Sequence, residues 1–380
     1  MSTPKGLPAL ASASLPHASA SPPLASAAAS GPAVDAAPGP CDSPDAHPAA
    51  APARLVDRFG RRHHDLRVSL TDRCNLRCTY CMPAEGLDWM PTPDLLSADE
   101  IVRVVRIATD LGITEVRLTG GEPLVRPDVV DIVARLAALP RAPHLSLTTN
   151  GLRLAALAAP LAGVGLSRVN ISCDTLSREV FARLTLRDRL DDVLAGIAAA
   201  RAAGLAPIKV NTVLMRGVND HEAATLLRWA LDEGLSLRFI EQMPLDPQHG
   251  WNRAMMVTRE EIIDSLERAG FHLAALPGRG SAPAEEFAID GGAATVGIVG
   301  SVTNPFCDAC DRVRLTADGH WRSCLFAQRE ADLRTLLRDG SDDEAIAARM
   351  LGEVALKQRG HGIDEPAFIQ PDRPMSAIGG

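Results

Sequence analysis

Lysine and tyrosine are nearly missing from this 380-residue chain: three lysines stand against 36 arginines, and Tyr80 is the one tyrosine. Aromatic residues make up only 3% of the sequence. No apolar run approaches the roughly 18 residues that span a bilayer, which argues against a membrane protein. Basic residues fall short of acidic ones, 39 against 47, for a net charge of −8; bulk electrostatics therefore exclude a nucleic-acid coat. The 8 cysteines are too sparse for a secreted disulfide knot and too many to be core filler. What is present, 46% hydrophobic residues, suffices for one large α/β domain with an appendage, or for two modest domains.

Residues 1–53 differ from the rest: Ala, Pro and Ser supply 36 of them, with no hydrophobic periodicity. Such a stretch cannot bury enough apolar surface to offset its ordering entropy and reads as a disordered, dispensable tail. Pro4, Pro8 and Pro16 interrupt any signal-peptide core, and the absence of arginine argues against a transit peptide. From residue 54 the pattern becomes strand, loop, helix. Strand-like runs at 66–71, 114–119, 144–149, 168–173, 208–214 and 236–241 alternate with helical patterns such as 99–111, 129–139, 190–203 and 221–233. The alternation predicts a parallel sheet with crossover helices. Polar residues gather at the C-terminal strand ends, which favours a partial barrel over an open doubly wound sheet. Two structured domains are expected, 54–245 and a smaller one at 246–380.

Cys74-Asn-Leu-Arg-Cys78-Thr-Tyr-Cys81 follows the first strand. A zinc site takes four ligands, commonly in two short pairs, and no partner pair is adjacent. Three thiolates within eight residues suit a [4Fe–4S] cluster with one iron left open for a substrate or cofactor. Thr119-Gly120-Gly121-Glu122-Pro123 closes the second strand; its glycines permit close backbone approach to a ligand, and Glu122 offers an acceptor for an ammonium group. A second set, Cys307-Asp-Ala-Cys310 with Cys324, fits either a zinc ribbon completed by His320 or another three-cysteine cluster, and spacing alone leaves both open. Cys41 and Cys173 are needed by neither set.

These motifs, in this order, resemble the radical S-adenosylmethionine (SAM) superfamily. The resemblance implies a partial (β/α)6 TIM-type barrel, with the open iron chelating SAM. From about residue 54 onward the chain is similar to the GTP 3′,8-cyclase family of molybdenum cofactor biosynthesis. The segments that carry this are Asp57-Arg58-Phe59-Gly60-Arg61, the run from Leu66 to Cys74, Thr148-Thr149-Asn150-Gly151, Ile208-Lys209-Val210-Asn211, Arg238-Phe239-Ile240-Glu241 and the terminal Met375-Ser376-Ala377-Ile378-Gly379-Gly380. The smaller C-terminal domain would then carry a second [4Fe–4S] cluster on Cys307, Cys310 and Cys324, whose open iron binds guanine.

The residues agree with a triphosphate substrate. Arg67, Arg117 and Lys209 lie on three strands that converge at one barrel mouth, and guanidinium forks match phosphate oxygens. In a chain whose default cation is arginine, Lys209 is the informative one. By resemblance, Arg67, Arg117, Thr148, Lys209, Arg312 and Arg314 contact GTP, and Tyr80, Gly121, Ser172 and Met243 contact SAM. Read alone, Met243 is core packing and Ser172 a plain strand hydroxyl. The resemblance implies that the cluster on Cys74, Cys78 and Cys81 reduces SAM. The adenosyl radical then takes the C3′ hydrogen of GTP, C3′ bonds to C8, and the base is reduced to give 3′,8-cyclo-7,8-dihydro-GTP. Gly379 and Gly380 are expected to thread into the active site. Three departures from the family pattern stand out: Cys173, expected to bring a further thiol near the site; Asp311, beside the cations; and 276–286, without aromatics. The alternative is another radical SAM enzyme with an auxiliary cluster, of the peptide-modifying type. Expected partners are a reducing electron donor and the next-step cyclic pyranopterin monophosphate synthase, in a cytoplasmic setting; a homodimer is left open.

Overall fold

The computed structural model describes residues 53–366 and 368–379. Apart from Ala53, the proposed tail lies outside the described residues, as do Cys41 and Gly380. Strands and helices alternate as β1 (Asp65–Ser69), α1 (Ala98–Asp110), β2 (Glu115–Thr119), α2 (Val129–Ala137), β3 (His144–Thr149), α3 (Leu154–Gly163), β4 (Arg168–Ser172), α4 (Arg178–Thr185), α5 (Leu190–Ala202), β5 (Ile208–Val213), α6 (Ala223–Asp232) and β6 (Ser236–Ile240). Each strand pairs in parallel with the next, which makes a partial (β/α)6 barrel. Helix α1 starts at a capping box, with Ser97 and Glu100 exchanging side-chain-to-backbone bonds. Helix α3 was not anticipated because it is nearly all Ala and Leu, with no polar stripe to set a period.

The strands explain what the barrel is for. Parallel strands covered on both faces read as continuous hydrophobic runs; these alternate. Leu66, Val68, Val116, Leu118, Leu147, Val169, Ile171, Val210 and Phe239 are buried in the hydrophobic core that includes helix residues. The other face carries Asp65, Arg67 and Ser69 on β1, Arg117 and Thr119 on β2, Ser146 and Thr148 on β3, Arg168, Asn170 and Ser172 on β4, Lys209 and Asn211 on β5, and Arg238 on β6. The register is continuous across it: Arg67 opposes Arg117, Arg117 opposes Ser146, Thr148 opposes Asn170, and Asn170 opposes Lys209. The inner face is therefore polar along its length.

Beyond β6 come α7 (Arg259–Arg268), β7 (Leu273–Ala275), β8 (Glu285–Ile289), β9 (Thr295–Val299), β10 (Arg312–Leu315), β11 (His320–Arg322), β12 (Ala331–Asp332), α8 (Arg334–Arg338), α9 (Asp343–Ala355) and α10 (Met375–Ile378). Their strands do not form a separate sheet. β9 pairs in parallel with β6, and β10 in parallel with β1. The sheet order is β12-β11-β10-β1-β2-β3-β4-β5-β6-β9-β8-β7. The proposed boundary at 245/246 thus crosses a continuous sheet, and the later strands flank both edges of the barrel. Glu241, buried just after β6, accepts from the backbone of Arg259, Val302 and Thr303 and ties the start of α7 and the segment after β9 to β6.

Candidate active site

The loop after β1 carries Cys74, Cys78 and Cys81, which line a cavity of about 240 Å³ at the C-terminal strand ends. Tyr80, Gly121, Thr148, Ser172 and Met243 line the same cavity. The structure therefore brings together all four expected SAM contacts, the first cysteine set and one expected GTP contact. The two glycines also admit the chain's own backbone. A side chain on Gly121 would put its Cβ 2.3 Å from the carbonyl oxygen of Asp72, and one on Gly120 would sit 2.4 Å from that of Thr71. The turn packs on the chain's own backbone, with Gly121 N–H donating to Thr71 O at 2.8 Å and Glu122 N–H to Arg73 O at 2.8 Å. Their absent side chains thus seat the segment leading into Cys74.

Glu122 likewise turns inward. Its carboxylate accepts from Leu124 N–H, Thr149 Oγ1 and Asn150 N–H at 2.7–2.9 Å, and burial raises its pKa to about 7. It braces the Thr149–Asn150 turn, and Asn150 Nδ2 in turn lies 3.8 Å from Cys74 Sγ. Two residues not anticipated as site residues join here. Asp174 accepts from the Tyr80 hydroxyl at 2.7 Å and from Val213 N–H at 2.9 Å, with its carboxyl lifted by burial to about 6. Asn211 leaves its side-chain oxygen buried and unpartnered at the cavity wall.

The described residues fit an iron–sulfur cluster better than a single metal ion. No group of three His, Cys, Asp or Glu side chains among them could hold one metal ion; a four-iron cluster gives each thiolate its own iron. Burial raises the Cys74 thiol, pushes Cys81 to about 12 and drives Cys78 well above its ordinary value, with the neighbouring thiols adding repulsion. Such thiols ionise when a cationic centre compensates them. In the second set, burial puts Cys307 at about 11, whereas Lys357 and Arg312 outweigh burial and bring Cys310 below its ordinary value. His320 Nδ1 lies 3.1 Å from Asp318 Oδ2, beside Arg373, and among the described residues His320 joins no group of three His, Cys, Asp or Glu side chains that could hold a metal ion.

The cations form one surface. Arg67 opposes both Arg117 and Arg314 in register, and Arg312 and Arg314, two apart on β10, share a face. Burial, then the charge of Arg67, lowers Arg314 to about 9 and Arg117 well below its ordinary range. Lys209 falls to about 8 through burial, then through Arg238, Arg168 and Arg117. Arg238, absent from the expected site residues, faces the same way and pairs with Glu286 at 3.1 Å; strict alternation along β6 identifies it. The stretch without aromatics contributes that Glu286 and the Ser281 carbonyl, which accepts from Arg312 at 2.5 Å. Asp65, held far below its ordinary range by Arg67, Arg117 and Arg312 despite burial, offsets only part of this charge. Gly379 reaches the same face, its carbonyl accepting from Arg314. One departure resolves differently from expectation: Cys173 points away from the cavity into the core, its thiol 3.4 Å from Thr175 O, because it alternates with the inward Ser172. Asp311 pairs with His64 at 2.7 Å and lies 3.8 Å from Arg312, beside the cations.

Residues 68–230 match the radical SAM superfamily, and residues 235–363 match Molybdenum Cofactor Synthesis C. A GTP 3′,8-cyclase of Streptomyces coelicolor is 60% identical over 329 residues, covering 86% of this chain and 96% of the relative. This chain belongs to the GTP 3′,8-cyclase family. A second family member, from Paenarthrobacter nicotinovorans, is 53% identical over 355 residues, covering 89% of this chain and 100% of the relative. Among solved structures, SuiB of Streptococcus suis bound to S-adenosylmethionine aligns with a TM-score of 0.50 at 14% identity, over 76% of this chain and 68% of that one; at that identity it supports the fold alone.

Two outcomes follow for this cyclase-family site. Gly121→Ala, whose Cβ has no room against Asp72 O, lowers stability by about 1–3 kcal/mol in denaturant unfolding and reduces iron loading by the first cysteine set. Arg117→Met relieves buried like-charge repulsion, so the ligand-free protein unfolds at higher denaturant, by on the order of 1 kcal/mol.

Proposed function

We propose that this protein converts GTP to 3′,8-cyclo-7,8-dihydro-GTP, the first step of molybdenum cofactor biosynthesis. One observation carries the reading: two three-cysteine sets bracket a single cation-lined barrel face. Cys74 follows the C-terminal end of β1. Cys310 precedes Arg312, which pairs in register with Asp65 at the opposite end of β1. Five strand residues span roughly 16 Å, and Arg67, Arg312 and Arg314 lie along that interval.

Arg67, Arg117, Lys209, Arg312 and Arg314, with Thr148, hold the nucleotide, and their mutual repulsion makes a polyanion the ligand that relieves the most strain. Guanine is directed toward Cys307, Cys310 and Cys324, which places the ribose on the side of Cys74, Cys78 and Cys81. Tyr80, Gly121, Ser172 and Met243 position SAM, and Asp174 fixes Tyr80 through its hydroxyl. Cys74, Cys78 and Cys81 would hold a cluster that, with SAM, would supply a carbon-centred radical for the C3′ hydrogen and so allow C3′ to bond to C8, and Cys307, Cys310 and Cys324 would hold a second cluster that would supply the electron which, with a proton, completes the dihydro base. Gly379 sits against Ser69 and Thr119, where an added Cβ would lie 2.3 Å from Thr119 Oγ1. Only glycine lets the C-terminal segment close over this face and exclude water.

A reducing electron donor feeds the clusters, and cyclic pyranopterin monophosphate synthase takes the product, in a reducing cytoplasm. Among the described residues, no helix is long and apolar enough to cross a membrane. Anaerobically reconstituted, reduced protein incubated with GTP and SAM yields 5′-deoxyadenosine and cyclised nucleotide in equal amounts; SAM cleavage with no nucleotide product contradicts the assignment. Deleting Gly379 and Gly380 abolishes cyclisation while SAM binding survives, and normal turnover in the deletion would overturn the role given to the tail.

A further inference from the structure

The chain's lysines are Lys5, Lys209 and Lys357. Lys357, just after α9, is 2% exposed and has no part in the mechanism above. Its Nζ has three neighbours: Arg312 O at 2.6 Å, Cys310 Sγ at 3.6 Å and His63 Nδ1 at 3.5 Å. An ammonium has three donors and no acceptor. All three are used if His63 presents a lone pair at Nδ1. That tautomer is chosen from behind, where His63 Nε2 lies 3.1 Å from Asp57 Oδ2 and donates to it. Burial, then the charge of Lys357, lowers His63 to about 4, so the ring is neutral.

Asp57 is itself buried and fixed. It accepts from Arg61 Nε at 2.6 Å and from the backbone of Phe59 and Arg61 at 2.9 and 3.1 Å. The same Arg61 donates to Cys307 O at 2.5 Å and to Gln358 O at 2.7 Å. Both cysteines of the C-x2-C pair are thus tied to residues 57–63, and the charges along the line alternate: Arg61, Asp57, neutral His63, Lys357, then the cysteine. Arginine, the cation this chain otherwise uses, has a planar fork that cannot aim three donors from one atom at a carbonyl, a sulfur and a ring nitrogen.

We propose that Lys357, oriented through His63 and Asp57, is a positioning residue that holds a fixed positive charge against the Cys310 sulfur and thereby raises the reduction potential of the cluster on Cys307, Cys310 and Cys324. The inference rests on the reading of those cysteines as cluster ligands. A hydrogen bond and a positive charge at a ligating sulfur stabilise the reduced, more negative cluster, and groups behind the ligands set such terms. The role also accounts for the Asp57-Arg58-Phe59-Gly60-Arg61 segment, which otherwise touches no substrate.

The test is an EPR-monitored redox titration of the full-length, anaerobically reconstituted protein, with added SAM marking the first cluster's signal. In Lys357→Met both clusters assemble. At a fixed potential the reduced-to-oxidised ratio of the second cluster falls about tenfold, equivalent to about 59 mV for a one-electron couple. The first cluster is unmoved, and Lys357→Arg recovers part of the shift. Lys357→Met with both clusters and an unchanged ratio overturns the inference. If that variant does not load the second cluster, Lys357→Gln, which keeps an N–H donor without the charge, is titrated against the same two outcomes. Loss of the second cluster in both variants assigns Lys357 to assembly and also overturns the tuning role. Wild-type protein with only one cluster's iron refutes the ligand reading itself, which the iron count separates from a failure of Lys357.

Discussion

Like charge confined on a buried face is the constraint on which the rest of this structure depends. Arg67, Arg117, Arg168, Lys209, Arg238, Arg312 and Arg314 share the inner surface of one sheet, and Asp65, Glu115 and Glu286 compensate part of that charge. In water such side chains would separate; here the strand pairing holds them. The outward alternation of Val, Leu, Ile and Phe into the helices stabilises the sheet enough to hold them together. The resulting surface favours a compact polyanion and disfavours apolar contents, unlike a barrel filled with branched side chains.

The two cysteine sets depend on the same sheet in different ways. The first is placed by backbone contact: the Gly120–Gly121 turn of β2 lies on Thr71–Arg73, and Glu122 holds the Asn150 turn beside Cys74. The second is placed by β10, which joins β1 in parallel, and by residues 57–63, which enter β1 from below. Strand β10 and residues 57–63 thus fix one cluster site between them. Asp174, at the end of β4, links Tyr80 to β5 through Val213, so the cysteine loop is secured from the side opposite the glycine turn.

Much of this was legible from local pattern. The six strands match their predicted spans to within two residues at each end, because each alternates or ends in an identifiable turn. The cysteine spacing picked out both groups of three and left the second open between zinc and a cluster, and the shared face of Arg67, Arg117 and Lys209 follows from strand alternation. The remainder was not local. Strands of two or three residues, such as β7 and β12, carry too few positions to show a period, and their pairing at both sheet edges is a tertiary fact. Gly121 reads as permissive toward a ligand; that its missing side chain also makes room for the Asp72 carbonyl is a tertiary fact. His320 had zinc-ligand spacing, yet among the described residues it joins no group of three side chains that could hold a metal ion. Lys357 lies 47 residues from Cys310 and 294 from His63, a separation no motif bridges.

The account stands or falls on the cation face as the seat of a triphosphate. The direct measurement is calorimetric binding of GTP, GDP, GMP and guanosine to the anaerobically reconstituted protein at two ionic strengths. The account predicts that affinity falls in that order, with the largest loss as the phosphates are removed, and that added salt weakens GTP far more than guanosine. Equal affinities across the series, or binding of GTP that salt does not change, would contradict it.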